Sequence, residues 1–200
     1  MDQQVPIAVS VNLDMDITET LYVYTREAWR DWLAAHYDSK TEIWLISYLK
    51  ATGKPSLRYN EAVEEALCFG WIDSTRKKFD EERSAQRYTP RRPRSGYSQP
   101  NKERLARLIS QGKVIPSVLA RLGDVRAEDF QFPEDILAAL RANDAAWAFF
   151  QSTSPSYQRI RAAFVDVARD RPEDFEKRLR NLVDKSAKGK HFGYGIEDFY

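Results

Sequence analysis

The residues with the clearest chemical character lie in one segment, residues 76–107. It holds eleven basic and four acidic residues, a local excess of seven positive charges in a chain whose formal net charge is +1. Arginine predominates, and its planar guanidinium suits bidentate binding of a carboxylate or a phosphate. The segment therefore predicts a site for an anionic group. Its basic members are Arg76, Lys77, Lys78, Arg83, Arg87, Arg91, Arg92, Arg94, Lys102, Arg104 and Arg107.

Three interpretations of this basic segment stay open. It would be a solvated surface if carboxylates offset its charges, for which Glu61, Glu64 and Glu65 on the outward face of the preceding helix are candidates. It would be a ligand site if it held an anionic small molecule or a peptide. It would bind nucleic acid if its interleaved aromatic residues stacked on bases, although the sequence contains no RRM, KH or helix-turn-helix signature.

Two further residues have reactive side chains. Asp73 enters the strand that leads to the arginines, where it would be their counter-ion or an acid/base group of a small enzyme. Cys68 is the single cysteine, and neither His36 nor His191 has a spacing that implies contact with it. We therefore predict a structural cysteine, no metal site and no cofactor, and the sequence identifies no catalytic residues.

The surrounding elements predict an α+β fold, with helices packed on a four-stranded, mostly antiparallel sheet and a helical C-terminal region. Residues 42–49 contain a continuous apolar run, typical of a central strand that is buried on both faces. Residues 71–79 and 83–89 flank an acidic turn and predict a β-hairpin. A shorter strand is predicted at 21–24.

Helix starts are predicted at polar residues that precede apolar stripes with helical spacing. We divide the chain into a loose leader (1–20), an α+β domain (21–125), a helical region packed on it (126–190) and a tail (191–200). The predicted N-cap residues are Thr25, Asn60, Ser98, Asn143 and Ser154.

Composition indicates whether the protein is folded and in which kind of compartment it works. The chain is 42% hydrophobic and 30% charged, which is ordinary for a folded protein. A lone cysteine excludes an internal disulfide and suits a reducing compartment. The first 19 residues contain no lysine or arginine and no apolar core of a secretory signal, and no apolar run approaches the ~20 residues of a membrane span. We expect a cytoplasmic protein without a membrane span, and its oligomeric state stays open.

Several motifs resemble the YdeI/OmpD-associated family, also called a bacteriocin-protection family. The longest are EALCFGWIDS at residues 65–74 and QRYTPRRPRS at residues 86–95, with shorter ones at 21–29, 53–56 and 146–157. Together they span about residues 21–194. The resemblance implies a YdhG-like α+β fold and an association with resistance to antimicrobial peptides and with an outer-membrane porin. It supplies no catalytic residues.

By position, the family-defining residues that would form a ligand site straddle the hairpin and the start of the following helix. The helix N-terminus would add backbone donors for an anion. We therefore predict a non-catalytic binding or stress-tolerance protein that holds an anionic ligand or peptide at the basic hairpin. A small enzyme with a pocket of Asp73 and arginines, or a nucleic-acid-binding protein, is the alternative. The predicted ligand-binding residues are Trp71, Asp73, Ser74, Arg87, Thr89, Arg91 and Ser98.

Overall fold

The fold is taken from a computed structural model, which describes residues 16–92, 95–123 and 125–200. Most of the predicted leader and Arg94 of the basic segment lie outside these residues. The described part contains one four-stranded sheet and eight α-helices. The strands are β1 (Thr20–Leu21), β2 (Ile43–Tyr48), β3 (Trp71–Lys78) and β4 (Arg83–Pro90). The helices are α1 (Arg26–His36), α2 (Tyr59–Cys68), α3 (Gln99–Ser110), α4 (Pro116–Leu119), α5 (Glu134–Arg141), α6 (Asp144–Ser152), α7 (Pro155–Asp166) and α8 (Pro172–Ala187).

The sheet has the strand order β1-β2-β4-β3, and β1 alone pairs in parallel. The prediction of a mostly antiparallel sheet in an α+β fold is therefore confirmed. Strand β2 is internal, and its first four residues are buried. Ile43 and Leu45 pack against the helices on one face of the sheet. Trp44 and Ile46 pack with Ala85 on the other face. The hairpin forms as predicted, with a bulge in β3 after Asp73.

The helix starts follow the predicted caps with one correction. The Oγ1 atom of Thr25 accepts from the backbone N–H of Ala28, and Asn143 and Ser154 cap α6 and α7 in the same way. The prediction that Asn60 caps the second helix is wrong, because α2 begins one residue earlier, at Tyr59. The carboxylate of Glu61 accepts from the N–H of Arg58 there, and the Asn60 side chain is left for other contacts.

The predicted outward position of Glu64 and Glu65 is also wrong. Only 4% and 2% of their surfaces are exposed. Helix α2 lies between α1 and α3, which both carry arginines toward it, so its acidic face meets cations rather than water. Arg26 and Arg107 donate to Glu64, and Arg26 and Arg30 donate to Glu65. Paired in this way, carboxylates are tolerated in a protein interior.

The two largest hydrophobic cores of the described residues lie in different parts of the fold. One lies between the sheet and helices α1 to α3, and it contains Cys68, whose thiol pKa burial raises to about 11. This agrees with the predicted structural cysteine, because a protonated buried thiol is a poor nucleophile. The other core lies among helices α5 to α8. Glu103 on α3 joins the two halves by accepting from Arg159 on α7, at 2.6 and 2.8 Å.

Candidate functional site

A cavity of about 840 Å³ opens where β4 leaves the sheet. Five pieces of chain surround it: the loop after α1, the turn between α2 and β3, the end of β4, the loop before α3, and α4 with the residues that follow it. The cavity therefore collects residues from much of the first 123 positions. The lining residues are 37–41, 69–71, 90–92, 95, 97, 118 and 121–123.

Aromatic side chains form the apolar wall of the cavity. Trp71 and Phe69 are 1% and 5% exposed, and the ring of Phe69 lies 5.6 Å from that of Tyr37. The indole Nε1–H of Trp71 donates to the carbonyl oxygen of Tyr37 at 3.0 Å. Because this N–H is already satisfied, the Trp71 ring contributes apolar surface to the cavity.

Gly70 fixes the turn that brings the aromatic wall to the end of β4. Its φ of 74° lies in the left-handed region that glycine favours after a helix. A Cβ at this position would lie 3.1 Å from Cγ2 of Val118. Its carbonyl oxygen accepts from the backbone N–H of Arg91 at 2.9 Å, so the turn also positions the first arginine of the cavity.

The guanidinium of Arg91 is held in place by the ring of Tyr97 and by hydrogen bonds from its Nη2 atom. Its Cζ atom lies 3.8 Å from the ring centroid of Tyr97, within the range of a cation–π contact. Its Nη2 donates to the carbonyl and hydroxyl oxygens of Ser95, both at 3.1 Å, and to the carbonyl oxygen of Gly96 at 2.8 Å. Among the described residues none accepts from Nε or Nη1, so N–H donors on both atoms remain for single hydrogen bonds to an anion.

The other charges of the cavity leave it positive. Arg92 and Arg121 also line it, and the Nε of Arg121 donates to a backbone carbonyl. Lys40 pairs with Glu19 at 2.6 Å in an exposed contact. Asp38 is the one acidic residue of the lining, and no carboxylate of the described residues forms an ion pair with the three arginines.

The structure brings two of the predicted site residues, Trp71 and Arg91, together at this cavity. Arg87 lies elsewhere, because its guanidinium forms an ion pair with Glu42. Thr89 faces Ile72 in the strand register and lies outside the lining.

Ser74 and Ser98 also lie apart from the cavity. Ser74 is exposed, and its carbonyl accepts a long hydrogen bond from Gln86 at 3.4 Å. Ser98 occupies the N-cap position of α3 as predicted, but its side chain makes no capping hydrogen bond. The predicted anion site at this helix start therefore has only its backbone donors, and Ser98 is not among the lining residues.

Asp73 belongs to a different environment. Its Oδ2 accepts from the hydroxyl of Tyr59 at 3.0 Å, and it faces Tyr88 across the hairpin. Burial raises the pKa of the Asp73 carboxyl, while the Tyr59 hydroxyl and the charge of Arg104 act in the opposite direction. The cation near Asp73 is thus Arg104, rather than the arginines of the hairpin.

Sequence reasoning missed the parts of the cavity that come from distant loops. Residues 37–41 form a polar turn, and residues 118–123 are the end of α4 and the mostly apolar turn after it; neither composition carries a signal of a site. Only the packing of α1 and α4 against the α2–β3 turn brings them there. Arg92, Ser95 and Tyr97 lie within the basic segment, but they were not among the predicted ligand-binding residues.

The described residues hold no group of three or more histidine, cysteine, aspartate or glutamate side chains able to bind a metal ion. Within the same residues, none of the helices has both the length and the apolar character needed to cross a membrane.

Two family models match the chain. One, the Domain of unknown function (DUF8412), matches residues 21–121, and the other, Bacteriocin-protection, YdeI or OmpD-Associated, matches residues 129–189. No curated protein and no solved structure matches. The predicted YdeI/OmpD-associated resemblance is confirmed for residues 129–189, whereas the motifs at 65–74 and 86–95 fall within the other match. The chain therefore belongs to the family of the domain of unknown function DUF8412, and carries a Bacteriocin-protection, YdeI or OmpD-Associated segment behind it.

Proposed function

We propose that the protein binds, without catalysis, an anionic small molecule that has an apolar or aromatic body, and that the cavity at the end of the hairpin is the binding site. The observation that carries this proposal is the Arg91 guanidinium. Stacking on Tyr97 and three hydrogen bonds from Nη2 hold it in place, while none of the described residues accepts from Nε and Nη1. A guanidinium held in this way, with donors left on Nε and Nη1, suits single charge-assisted hydrogen bonds to a carboxylate or phosphate.

The charge of the cavity supports an anionic ligand. Arg91, Arg92 and Arg121 line it opposite a single carboxylate, Asp38. Like charges brought close together repel each other unless ions of opposite sign offset them. A bound anion would supply that offset and would gain charge-assisted hydrogen bonds, each worth about 1.5–3 kcal/mol.

The wall supports an apolar body on the same ligand. Trp71 and Phe69 are nearly fully buried behind this wall, whereas Tyr37 and Tyr97 are half-buried and present the ring surface that a ligand would cover. Burial of apolar surface stabilises a complex by roughly 25 cal/mol per Å². Small-molecule pockets usually measure about 300–1,000 Å³ and combine apolar walls with a few polar groups. The cavity fits that description in both size and lining.

The alternatives receive less support from the geometry. Arg87 and Arg107 pair with Glu42 and Glu64, and this pairing interrupts the basic stripe that a nucleic-acid strand would follow. Asp73, the acid/base candidate of the enzyme alternative, is not among the residues that line the cavity.

The match to a family named for bacteriocin protection supports a role in stress tolerance, and the lone cysteine supports a cytoplasmic setting.

Isothermal titration calorimetry with three matched probes tests the proposal. 1-Naphthyl phosphate, 1-naphthoate and 1-naphthol share one ring system and differ in charge. We expect the two anions to bind and the neutral naphthol to bind at least tenfold more weakly. The Arg91→Gln variant should lose at least tenfold in affinity for the anions, whereas Arg76→Gln, in the same hairpin but outside the cavity, should match the wild type. Equal binding of naphthol, or an unchanged Arg91→Gln variant, would refute the proposal.

A further inference from the structure

The last residues of the chain form a separate feature from the cavity. After α8 ends, residues 188–200 return across α7 and reach α2 and α3. Ile196 and Phe199 are 3% and 8% exposed and pack with Tyr157 and Ile160 of α7. The predicted tail, residues 191–200, lies beyond both family matches, which end at residues 121 and 189. It is nevertheless fitted closely to the body of the protein.

Two glycines allow this close fit. Gly195 has a φ of 72°, and a Cβ there would lie 2.7 Å from Cε1 of Tyr59. Gly193 has a φ of 126°, and a Cβ there would lie 2.7 Å from Nη1 of Arg161. Contacts this short do not occur for real Cβ atoms, so a side chain at either position would force the ring of Tyr59 or the end of Arg161 to shift, and both φ values favour glycine. The groove therefore selects for glycine at both positions.

The groove is basic and polar where the segment crosses α2 and α3. Arg104 is 4% exposed, and its Nη2 donates to the carbonyl oxygen of Gly195 and to Oδ1 of Asn60. Its Nε has no acceptor among the described residues. The Nδ2 of Asn60 donates in turn to Oδ2 of Asp198 at 3.0 Å. Arg107 lies over the ring of Phe199, 5.1 Å from its centroid.

A second buried arginine lies farther along the groove. Arg161 is 5% exposed, its Cζ lies 5.1 Å from the ring centroid of Phe192, and its Nε has no acceptor among the described residues. Burial lowers the pKa values of both Arg104 and Arg161, since desolvation disfavours the charged form. The segment that covers them carries Glu197 and Asp198. The carboxylate of Asp198 reaches the groove through the amide of Asn60, and that of Glu197 accepts from the N–H of Gly195 within the segment.

We propose that the groove between α2, α3 and α7 is a peptide-binding site for an acidic segment that contains glycines and aromatic residues, and that residues 191–200 fill it in cis. Arg104 binds a backbone carbonyl of the peptide, Asn60 binds a carboxylate, and the apolar surface of Tyr157 and Ile160 takes aliphatic and aromatic side chains. These are the elements of peptide recognition in general: main-chain hydrogen bonds for affinity and pockets for specificity.

Release of the segment would have a chemical consequence. The ring of Tyr194 lies 5.4 Å from that of Tyr59, whose hydroxyl donates to Asp73. A groove without its segment would expose this hydroxyl–carboxylate pair beside Arg104. The segment therefore acts as an internal ligand over a polar site that is distinct from the cavity.

The test uses the full chain with a specific protease sequence inserted between Lys188 and Gly189. The protein is cleaved after folding, the released segment is removed by gel filtration, and a fluorescein-labelled peptide of residues 190–200 is added. We expect saturable binding, measured by fluorescence anisotropy, and competition by unlabelled peptide. The Gly195→Ala peptide should bind at least tenfold more weakly, and the Asp198→Asn peptide several-fold more weakly. The matched control is a Lys190→Ala peptide, which should bind as the unchanged peptide does, since this exposed side chain lies outside the groove contacts.

If the protein without residues 190–200 loses structure, we expect added peptide to restore cooperative thermal unfolding. A body that stays unfolded with excess peptide would show that the segment is a part of the core. A cleaved segment that never exchanges with labelled peptide would overturn the proposal, and so would a Gly195→Ala peptide that binds like the unchanged one.

Discussion

Two groups of arginines in this protein have opposite surroundings. Arg26, Arg30 and Arg107 converge on Glu64 and Glu65, which lie buried on α2 between them. The arginines of the cavity, Arg91, Arg92 and Arg121, form no ion pair with a carboxylate of the described residues. The amino-acid sequence alone does not distinguish the arginines of the two groups. The first has its charge offset within the fold, whereas the second has no such offset among the residues that the structure describes.

The difference shows that a local excess of basic residues does not by itself locate a site. Arg87 and Arg107 belong to the basic segment, yet each already has a carboxylate partner. A buried ion pair is costly to break, because the remaining charge is left without a partner in a poorly solvated place. An arginine without such a partner costs the fold little when it is replaced, but it is able to bind a ligand.

The largest expected effect is on stability, at Glu65. Its two carboxylate oxygens accept from Arg26 and Arg30, and 2% of its surface is exposed. Glu65→Gln would leave Arg30 without its counter-charge and Arg26 with Glu64 alone, and we expect the free energy of unfolding to fall by about 3–5 kcal/mol. Urea unfolding at pH 7 measures this. Glu81→Gln removes an exposed pair with Lys78 and should cost less than about 1 kcal/mol; equal losses would contradict the comparison.

A smaller effect on stability should distinguish an arginine of the paired group, Arg107, from an arginine of the cavity, Arg91. Arg107→Gln removes a charged donor from Glu64, and we expect a loss of about 1.5–3 kcal/mol in the free energy of unfolding. Arg91→Gln should change it by less than about 0.5 kcal/mol, because the side chain donates only to an exposed loop. Denaturant unfolding of both variants gives the answer. An Arg91→Gln variant that is as unstable as Arg107→Gln would show that Arg91 is structural.

The third expectation concerns pH and the paired carboxylate Glu103. Burial acts to raise its pKa, but hydrogen bonds from Arg159, Ser156 and Gln99 outweigh burial and hold the pKa below its usual value. Its stabilising contribution is therefore present above the unfolded-state pKa of about 4.3 and is lost as pH falls through the folded-state value. Urea unfolding of wild type and Glu103→Gln between about pH 7 and 3 should give a difference that shrinks in acid. A difference independent of pH would argue against a contribution from the charge.

The smallest effect should be that of salt concentration on the affinity of the cavity for its ligand. Raising NaCl from about 50 mM to about 300 mM should weaken the binding of 1-naphthyl phosphate several-fold, because the cavity opens to solvent and its charges are screened. The free energy of unfolding should change much less, since the pairs around Glu64 and Glu65 are shielded from salt. Calorimetry and urea unfolding at both salt concentrations make the comparison. Affinity that is insensitive to salt would mean that apolar contacts alone hold the probe.

Sequence patterns were sufficient for β2, the hairpin and most helix starts, whereas the first strand, predicted at 21–24, is Thr20–Leu21. The apolar run of β2 and the acidic turn of the hairpin are local signals, and Thr25, Asn143 and Ser154 cap their helices as predicted. The faces of α2 were not predictable in this way. Its glutamates have the spacing of an exposed face, and only the arginines that α1 and α3 supply make them internal.

The site was predictable only in part, for a related reason. Trp71 and Arg91 were predicted as family-defining positions around the hairpin. The rest of the cavity depends on which loops meet there, and residues 37–41 and 118–123 have no pattern that indicates it. Arg87 looked equally suitable in the sequence, but its carboxylate partner, Glu42, is 45 residues away.

The most direct measurement of the central claim is an NMR titration that observes the arginine side-chain Nε–H resonances while 1-naphthyl phosphate is added. We expect the Arg91 Nε–H signal to shift in a saturable way, together with the backbone signals of residues 38–41 and 70–71. The signals of Arg26, Arg30 and Arg107 should stay in place, because Glu64 and Glu65 already occupy their guanidinium groups. A titration in which the Arg91 signal does not move, or in which all of these arginines shift alike, would contradict the account.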